Sequence, residues 1–204
     1  MMKKGLAVLA AFIFLGASGP AFGISDVYQK NIYNPGKLKP VDSVLKVRVG
    51  DRAPDFTLPS IGGTEVTLSR FLGKKNVVLS FIPAAWTPVC SDQWPGYNLA
   101  RKLFETREAV LLGISVDNVP TLFAWTNQMG DLWFPVISDF WPHGAVADRY
   151  GVLRSTGVAE RAIFIIDKKG VIRYIDVHDI NVRPPLESIV EALDALKSGD
   201  TIHN

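Results

Sequence analysis

The only cysteine of this sequence, Cys90, is the residue whose type and position best suit chemistry. It follows the apolar run 77–82, which predicts a strand, and a short proline-rich loop, so the next helix is expected to begin near it. Backbone N–H groups and the positive end of a helix dipole stabilise a thiolate, the reactive form of cysteine. A lone cysteine can also be an inert core residue, but this strand-to-helix junction favours a nucleophile.

Two neighbours of the cysteine fit the same chemistry. Thr87 lies three residues before Cys90, so within a first helical turn its hydroxyl would face the sulfur and could donate or accept a hydrogen bond. Its alternative role is to cap the helix. Pro83 would shield the pocket from water, or would simply end the strand.

These residues carry a resemblance to a known family. Residues 83–90 resemble the peroxiredoxin active-site motif P-x-x-x-T-x-x-C, and the likeness to the AhpC/TSA superfamily extends over about residues 44–197. Segments 138–147 and 150–152 are most similar to its one-cysteine AhpE-like branch. The other matching segments are the opening residues 50–58, the second core strand at 115–117 and an arginine-bearing strand at 161–167.

The resemblance implies a thioredoxin-like fold and a thiol peroxidase. Cys90 would attack the O–O bond of a hydrogen peroxide or organic hydroperoxide substrate and become a sulfenic acid. Thr87 would hydrogen-bond the peroxide and the sulfur, Pro83 would cover the site, and Arg161 would hold the thiolate and polarise the departing oxygen. The alternative for Arg161 is a surface ion pair with Glu160.

The resemblance also bears on the residues and molecules around the nucleophile. Gln93 matches an acidic or amide position of the family, although a structural hydrogen bond at the helix start is an equal interpretation. The chain has no second cysteine to resolve the sulfenic acid. Reduction would therefore come from an external small thiol, or from a thioredoxin-type or glutaredoxin-type protein, through a mixed disulfide with Cys90. Dimers are usual in the family, so a homodimer is expected.

Two other functions remain as alternatives. The spacing from Trp86 to Cys90 is similar to the W-C-x-x-C of thioredoxins, which would indicate an exported thioredoxin-like thiol oxidoreductase. Thr87 occupies the place of the nucleophilic cysteine there, so no dithiol can form, and a peroxidase is favoured. A non-catalytic binding or chaperone module with the same fold is the other alternative.

The sequence gives little indication of a cofactor, or of nucleic acid or an anionic membrane as a partner. His143, His178 and His203 lack metal-ligand spacing, and neither a Walker loop nor G-x-G-x-x-G occurs, so no metal or other cofactor is expected. The chain has 22 basic and 20 acidic residues, and loss of Lys3 and Lys4 with a leader would leave 20 of each. Without a basic stripe, nucleic acid and anionic membrane are not expected as partners.

The first residues have the pattern of a secretory signal peptide. Two lysines precede the apolar stretch 5–15 and the small residues of 16–23, which favours cleavage after residue 23 and export to the periplasm or the extracellular space. A retained membrane anchor is the alternative, but the stretch is shorter than the roughly 20 apolar residues that cross a bilayer.

The elements that must position Cys90 follow from the remaining pattern. Residues 24–43 predict an irregular extension, and residues 44–204 an α/β domain with a central mixed β-sheet flanked by helices and an N-terminal β-hairpin around 61–63. The sheet strands are expected at 77–82, 110–116, 134–137, 162–166 and 171–177, and helices at 92–108, 120–129 and 185–197.

Overall fold

A five-stranded mixed β-sheet forms the centre of the protein in a computed structural model that describes residues 26–198. The predicted signal peptide (1–23) and the last six residues lie outside this range. Within it, no helix is long and apolar enough to cross a membrane. The elements are, in chain order, α1 (Asp26–Lys30), β1 (Thr57–Pro59), β2 (Glu65–Thr67), a 3-10 turn (Leu68–Phe71), β3 (Asn76–Phe81), α2 (Cys90–Leu99), α3 (Arg101–Glu105), β4 (Ala109–Ser115), α4 (Val119–Thr126), β5 (Val136–Ser138), α5 (Ala145–Tyr150), β6 (Arg161–Ile166), β7 (Ile172–His178) and α6 (Leu186–Ser198).

The order of the strands in the sheet is β5-β4-β3-β6-β7, and β1 and β2 form a separate antiparallel hairpin. Strand β3 is parallel to β4 and antiparallel to β6. Every residue of β3 and of β6 is buried, because other elements of the fold pack on both faces of the sheet. This explains the continuous apolar runs in the sequence. The predicted thioredoxin-like α/β fold with its N-terminal hairpin is confirmed.

Alternate residues of the central strand β3 pack into two separate hydrophobic cores. Val77 and Leu79 belong to the core that also contains the hairpin and α5, whereas Val78 belongs to the core built with the other helices. Cys90 lies in the second core. The helix residues that share this core with it include Tyr28, Trp94, Phe104, Leu122, Trp125 and Leu193.

The antiparallel pairing of β3 with β6 brings Arg161 close to Cys90. Because the two strands are antiparallel, the end of β3 at Phe81 lies opposite Ala162, near the start of β6. The loop that follows β3 and leads to Cys90 therefore lies beside Arg161, the first residue of β6. The sheet thus brings together two residues that are far apart in the sequence.

Two details of the helix prediction were wrong. The helix predicted at 92–108 begins at Cys90, as expected from the strand-to-helix junction, but it is interrupted at Ala100, whose backbone leaves the helical conformation. Helix α5 was not predicted, because its six residues are too few for a helical period to show. Gly151 ends it with φ of 75°, a left-handed conformation that favours glycine.

From residue 26 on, the extension predicted as irregular (24–43) makes contacts with the domain. It contains the short helix α1, and Tyr28 of that helix is almost fully buried in the core that contains Cys90. The rest of the segment has little regular structure but makes hydrogen bonds to the domain at several points. The irregular interpretation was therefore wrong for α1.

Candidate active site

Cys90 is the first residue of α2, and its side chain is completely buried. The turn that precedes it is already helix-like, since the Ser91 N–H donates to the Thr87 carbonyl and the Gln93 N–H donates to the Val89 carbonyl. The sulfur is a free thiol. It lies at the start of a ten-residue helix, the end at which a helix dipole favours negative charge.

Arg161 is the cation of the site. Its Nη2 lies 3.4 Å from the Cys90 Sγ, Nη1 donates to the Gln93 Oε1 at 2.5 Å, and Nε donates to the Ile180 carbonyl at 3.1 Å. Only 2% of the residue is exposed. The surface ion pair with Glu160 that sequence reasoning left open is not found, because Glu160 pairs with Arg154.

Gln93 connects the guanidinium to the central strand. Its amide oxygen accepts from Arg161, and its Nε2 lies 3.1 Å from the Ser80 Oγ, which also accepts from the Trp94 indole. Gln93, Trp94 and Ser80 are all fully buried. Sequence reasoning missed Ser80, although a hydroxyl inside an otherwise apolar strand is a signal, because a buried polar group needs partners.

The loop between β3 and α2 holds the two other predicted residues. Pro83 is buried two residues after the end of β3, and its role as a cover of the site stays a prediction. The Thr87 hydroxyl donates to the Ala84 carbonyl at 2.9 Å. The predicted bond between Thr87 and the sulfur is not among the hydrogen bonds of residues 26–198. The hydroxyl oxygen still has lone pairs that can accept a hydrogen bond from a peroxide.

Asp117 is an anchor of this loop that sequence reasoning did not assign to the site. Its Oδ2 accepts from the Ala85 N–H at 2.8 Å and from the Ser115 hydroxyl at 2.5 Å. Its own carbonyl accepts from Ser138 in the neighbouring strand. The loop is therefore tied to the ends of β4 and β5, and its position near the sulfur is fixed.

The electrostatics of the site depend on a buried cation without a carboxylate. Among the described residues, no Asp or Glu forms an ion pair with Arg161, and its neighbours are an amide oxygen, a carbonyl and the sulfur. A buried charge without a counter-ion costs several kcal/mol, on the order of 3–5 when a pair is broken. Of these three neighbours, the Cys90 sulfur is the one that can carry a negative charge.

The histidines of the described region serve other purposes. His143 Nε2 lies 2.6 Å from the Gly157 carbonyl, so it shapes a loop, and His178 contacts Asp176. His203 lies outside the described residues. Between residues 26 and 198, no group of three or more His, Cys, Asp or Glu side chains is arranged to hold a metal ion.

Comparisons with known proteins find similarity over the part of the chain that contains Cys90 and Arg161. Residues 49–175 match the AhpC/TSA family. Alkyl hydroperoxide reductase E of Mycobacterium tuberculosis is 41% identical over 132 residues, which cover 64% of this chain and 86% of that protein. A chloroplastic 2-cysteine peroxiredoxin of Chattonella marina var. antiqua is 33% identical over 162 residues, or 75% of this chain and 82% of that protein. The crystal structure of reduced 2-Cys peroxiredoxin from Plasmodium vivax gives a TM-score of 0.70 at 29% identity, covering 74% of this chain and 83% of that one.

Proposed function

This chain belongs to the AhpC/TSA family, the peroxiredoxins, and we propose that it is a one-cysteine thiol peroxidase whose nucleophile is Cys90. Its substrates are hydrogen peroxide and organic hydroperoxides, and its reductant is an external thiol. The observation that carries the proposal is the contact of 3.4 Å between the buried Arg161 guanidinium and the Cys90 sulfur.

The contact supports the chemistry in two ways. In the resting enzyme, Arg161 gives a thiolate its counter-charge in a site from which water is excluded, where electrostatic interactions are strong. As the O–O bond breaks, negative charge develops on the departing oxygen, and a fixed guanidinium beside the sulfur stabilises that charge without having to reorganise. Both effects need Arg161 to keep its present place.

The first half-reaction is a nucleophilic displacement at oxygen. A lone pair of the Cys90 thiolate forms an S–O bond to one peroxide oxygen, and the O–O bond breaks. Its electron pair leaves with the other oxygen, which takes a proton and departs as water or an alcohol. The sulfur is oxidised to a sulfenic acid, and the peroxide is reduced. In this proposal, Thr87 orients the peroxide and Pro83 excludes water.

The second half-reaction needs two thiols that this chain does not contain, since Cys90 is its one cysteine. The first thiol attacks the sulfenic sulfur, releases water and leaves a mixed disulfide. The second thiol attacks that disulfide, restores Cys90 and leaves an oxidised external disulfide. Peroxiredoxins commonly form dimers, and we propose the same assembly for this chain.

Steady-state turnover tests this function. The purified protein should consume hydrogen peroxide continuously with dithiothreitol or a thioredoxin system present, and should stop after one equivalent when no thiol is added. Cys90→Ser should abolish both phases. Continuous consumption by Cys90→Ser, or no consumption by the wild-type protein with any of these thiols, contradicts the proposal.

We also propose that the protein acts after export, because residues 1–23 have the charged start, apolar stretch and small residues of a signal peptide. Expression of the full-length chain followed by cell fractionation and N-terminal sequencing tests this. A mature protein that begins at Ile24 outside the cytoplasm supports export, whereas an uncleaved cytoplasmic protein contradicts it.

A further inference from the structure

Residues 26–43, here called the N-terminal strap, are attached to the part of the chain that carries Cys90. Tyr28 of the strap is only 2% exposed, and its ring packs on Trp86 of the active-site loop with centroids 5.9 Å apart. Burial raises the pKa of Tyr28, and a negative charge on Cys90 acts in the same direction, so the two groups lie within electrostatic reach. The strap thus begins as part of the core around the nucleophile.

The strap holds the chain on both sides of Cys90. Before the cysteine, the Trp86 carbonyl accepts from the Tyr33 N–H at 2.8 Å. After the cysteine, the Trp125 indole N–H is shared between the Tyr28 hydroxyl at 3.0 Å and the Ser91 hydroxyl at 3.2 Å. Trp86 has φ of 59°, which is a costly conformation for a bulky residue. Such a conformation persists only where the surrounding structure holds it.

A second anchor lies at the other end of the strap. The backbone N–H groups of Asp42 and Ser43 both donate to Glu160, at 2.6 and 2.9 Å, and this carboxylate is fully buried. Arg154, its ion-pair partner, donates to the Lys39 carbonyl at 2.7 Å. The Asp42 carboxylate also accepts from the N–H and hydroxyl groups of Ser155. The strap is therefore fixed at both ends.

Between the anchors, the strap contacts the segment that holds Arg161. The Ile180 N–H donates to the Pro40 carbonyl at 3.1 Å, while the Ile180 carbonyl accepts from the Arg161 Nε. Asn181 exchanges hydrogen bonds with the backbone of Leu38 at 2.8 and 2.9 Å. The strap is thus packed against the loop that leads to Cys90 and against Ile180, whose carbonyl accepts from Arg161.

We propose that the N-terminal strap, with Tyr28 as its buried side chain, limits the size of the reagents that reach Cys90. None of the cysteine is exposed while the strap is seated. Hydrogen peroxide has two heavy atoms and needs only a small local opening. A bulky hydroperoxide or the thiol of a protein needs the loop around Trp86 to move away, which requires Tyr28 to leave its place. This inference rests on the proposed function only where it speaks of peroxides and reductants.

Size-dependent labelling of Cys90 in the full-length protein tests the strap without any peroxide chemistry. The probes are iodoacetamide, which is small, and a polyethylene-glycol maleimide, which is bulky. Tyr28→Ala removes a buried aromatic side chain, so it should speed labelling by the bulky probe by about tenfold or more and labelling by iodoacetamide by much less. Tyr33→Ala is the matched control, because this tyrosine of the same strap is 71% exposed, and it should leave both rates unchanged.

Asp42→Ala keeps the test decisive if Tyr28→Ala folds poorly. Asp42 lies at the other end of the strap and outside the core, and its loss should also favour the bulky probe, to a smaller extent. A higher bulky-to-small labelling ratio in either variant supports the strap. An unchanged ratio in both variants contradicts it. If size-selective labelling is found in a protein that never forms a sulfenic acid, the strap stands and the proposed function fails.

Discussion

The Nη2 of Arg161 lies 3.4 Å from the Sγ of Cys90, and neither side chain has appreciable contact with solvent. The antiparallel pairing of β3 and β6 produces this contact by placing the start of one strand beside the end of the other. Because Gln93 and the Ile180 carbonyl accept from Nη1 and Nε, all three nitrogens of the guanidinium have a partner and its orientation is fixed. The sulfur therefore faces a cation whose position is fixed before any substrate arrives.

Replacement of Arg161 should affect the reaction with peroxide more than the fold. Arg161→Ala removes the group that stabilises developing charge, so the second-order rate constant of Cys90 with hydrogen peroxide should fall roughly 100-fold or more. Arg161→Lys retains the charge but not the planar fork, and should recover only part of the rate. Rapid-quench measurement of free thiol gives the rate. Arg48→Ala, at an exposed arginine, is the control and should react like the wild type.

Gln93 should act as a positioning residue, through Arg161. Gln93→Glu places a carboxylate on Nη1 and gives the guanidinium a competing anion, so the thiolate should be less favoured. The peroxide rate at neutral pH should fall about tenfold or more, because a carboxylate beside the guanidinium takes up the positive charge that would otherwise stabilise the thiolate, and a tenfold change corresponds to about 1.4 kcal/mol. The rate should also reach its plateau at a higher pH than in the wild type. An unchanged pH profile with a lower melting temperature would assign Gln93 a structural role alone.

Thr87 offers a matched pair of substitutions. Thr87→Val keeps the shape of the side chain but removes the hydroxyl, and the peroxide rate should drop by roughly tenfold if that oxygen binds the substrate. Thr87→Ser retains the hydroxyl and should remain near the wild-type rate. Equal rates for the valine and serine variants would remove Thr87 from the reaction and leave it with its bond to the Ala84 carbonyl.

The buried pair of Glu160 and Arg154 should contribute to stability. Glu160→Gln leaves Arg154 without its counter-ion in a buried place, and the free energy of unfolding should fall by about 3–5 kcal/mol. Glu105→Gln breaks an exposed pair with Arg101 and should cost less than about 1 kcal/mol. Urea denaturation followed by tryptophan fluorescence measures both variants. Similar losses in the two would contradict the role given to the buried pair.

Much of the site could be predicted because its residues lie in short, local patterns. Pro83 and Thr87 lie in the loop that leads to Cys90, and the apolar runs of β3 and β6 identify strands with both faces covered. Arg161 lies far away in sequence, and its resemblance to a family position, rather than any local pattern, indicated its role. The structure adds the antiparallel register that brings it to the sulfur.

The features that sequence reasoning missed depend on tertiary contacts. Tyr28 lies in a segment without apolar periodicity. Its burial depends on the contacts that its ring makes with Trp86 and its hydroxyl with Trp125. The pairing of Glu160 with Arg154 was not predicted, since the sequence named only Arg161 as an alternative partner, and Arg161 faces the sulfur instead. Ser80 and Asp117 act through bonds to other elements, which a single sequence does not reveal.

The most direct test of the account is the state of Cys90 after one equivalent of hydrogen peroxide is added to the reduced protein with no thiol present. Mass spectrometry after dimedone trapping should find close to one sulfenic acid adduct per chain, at Cys90, formed much faster than in free cysteine. No adduct at Cys90, or formation no faster than in free cysteine, would contradict the claim that Arg161 and the start of α2 make this thiol a peroxidase nucleophile.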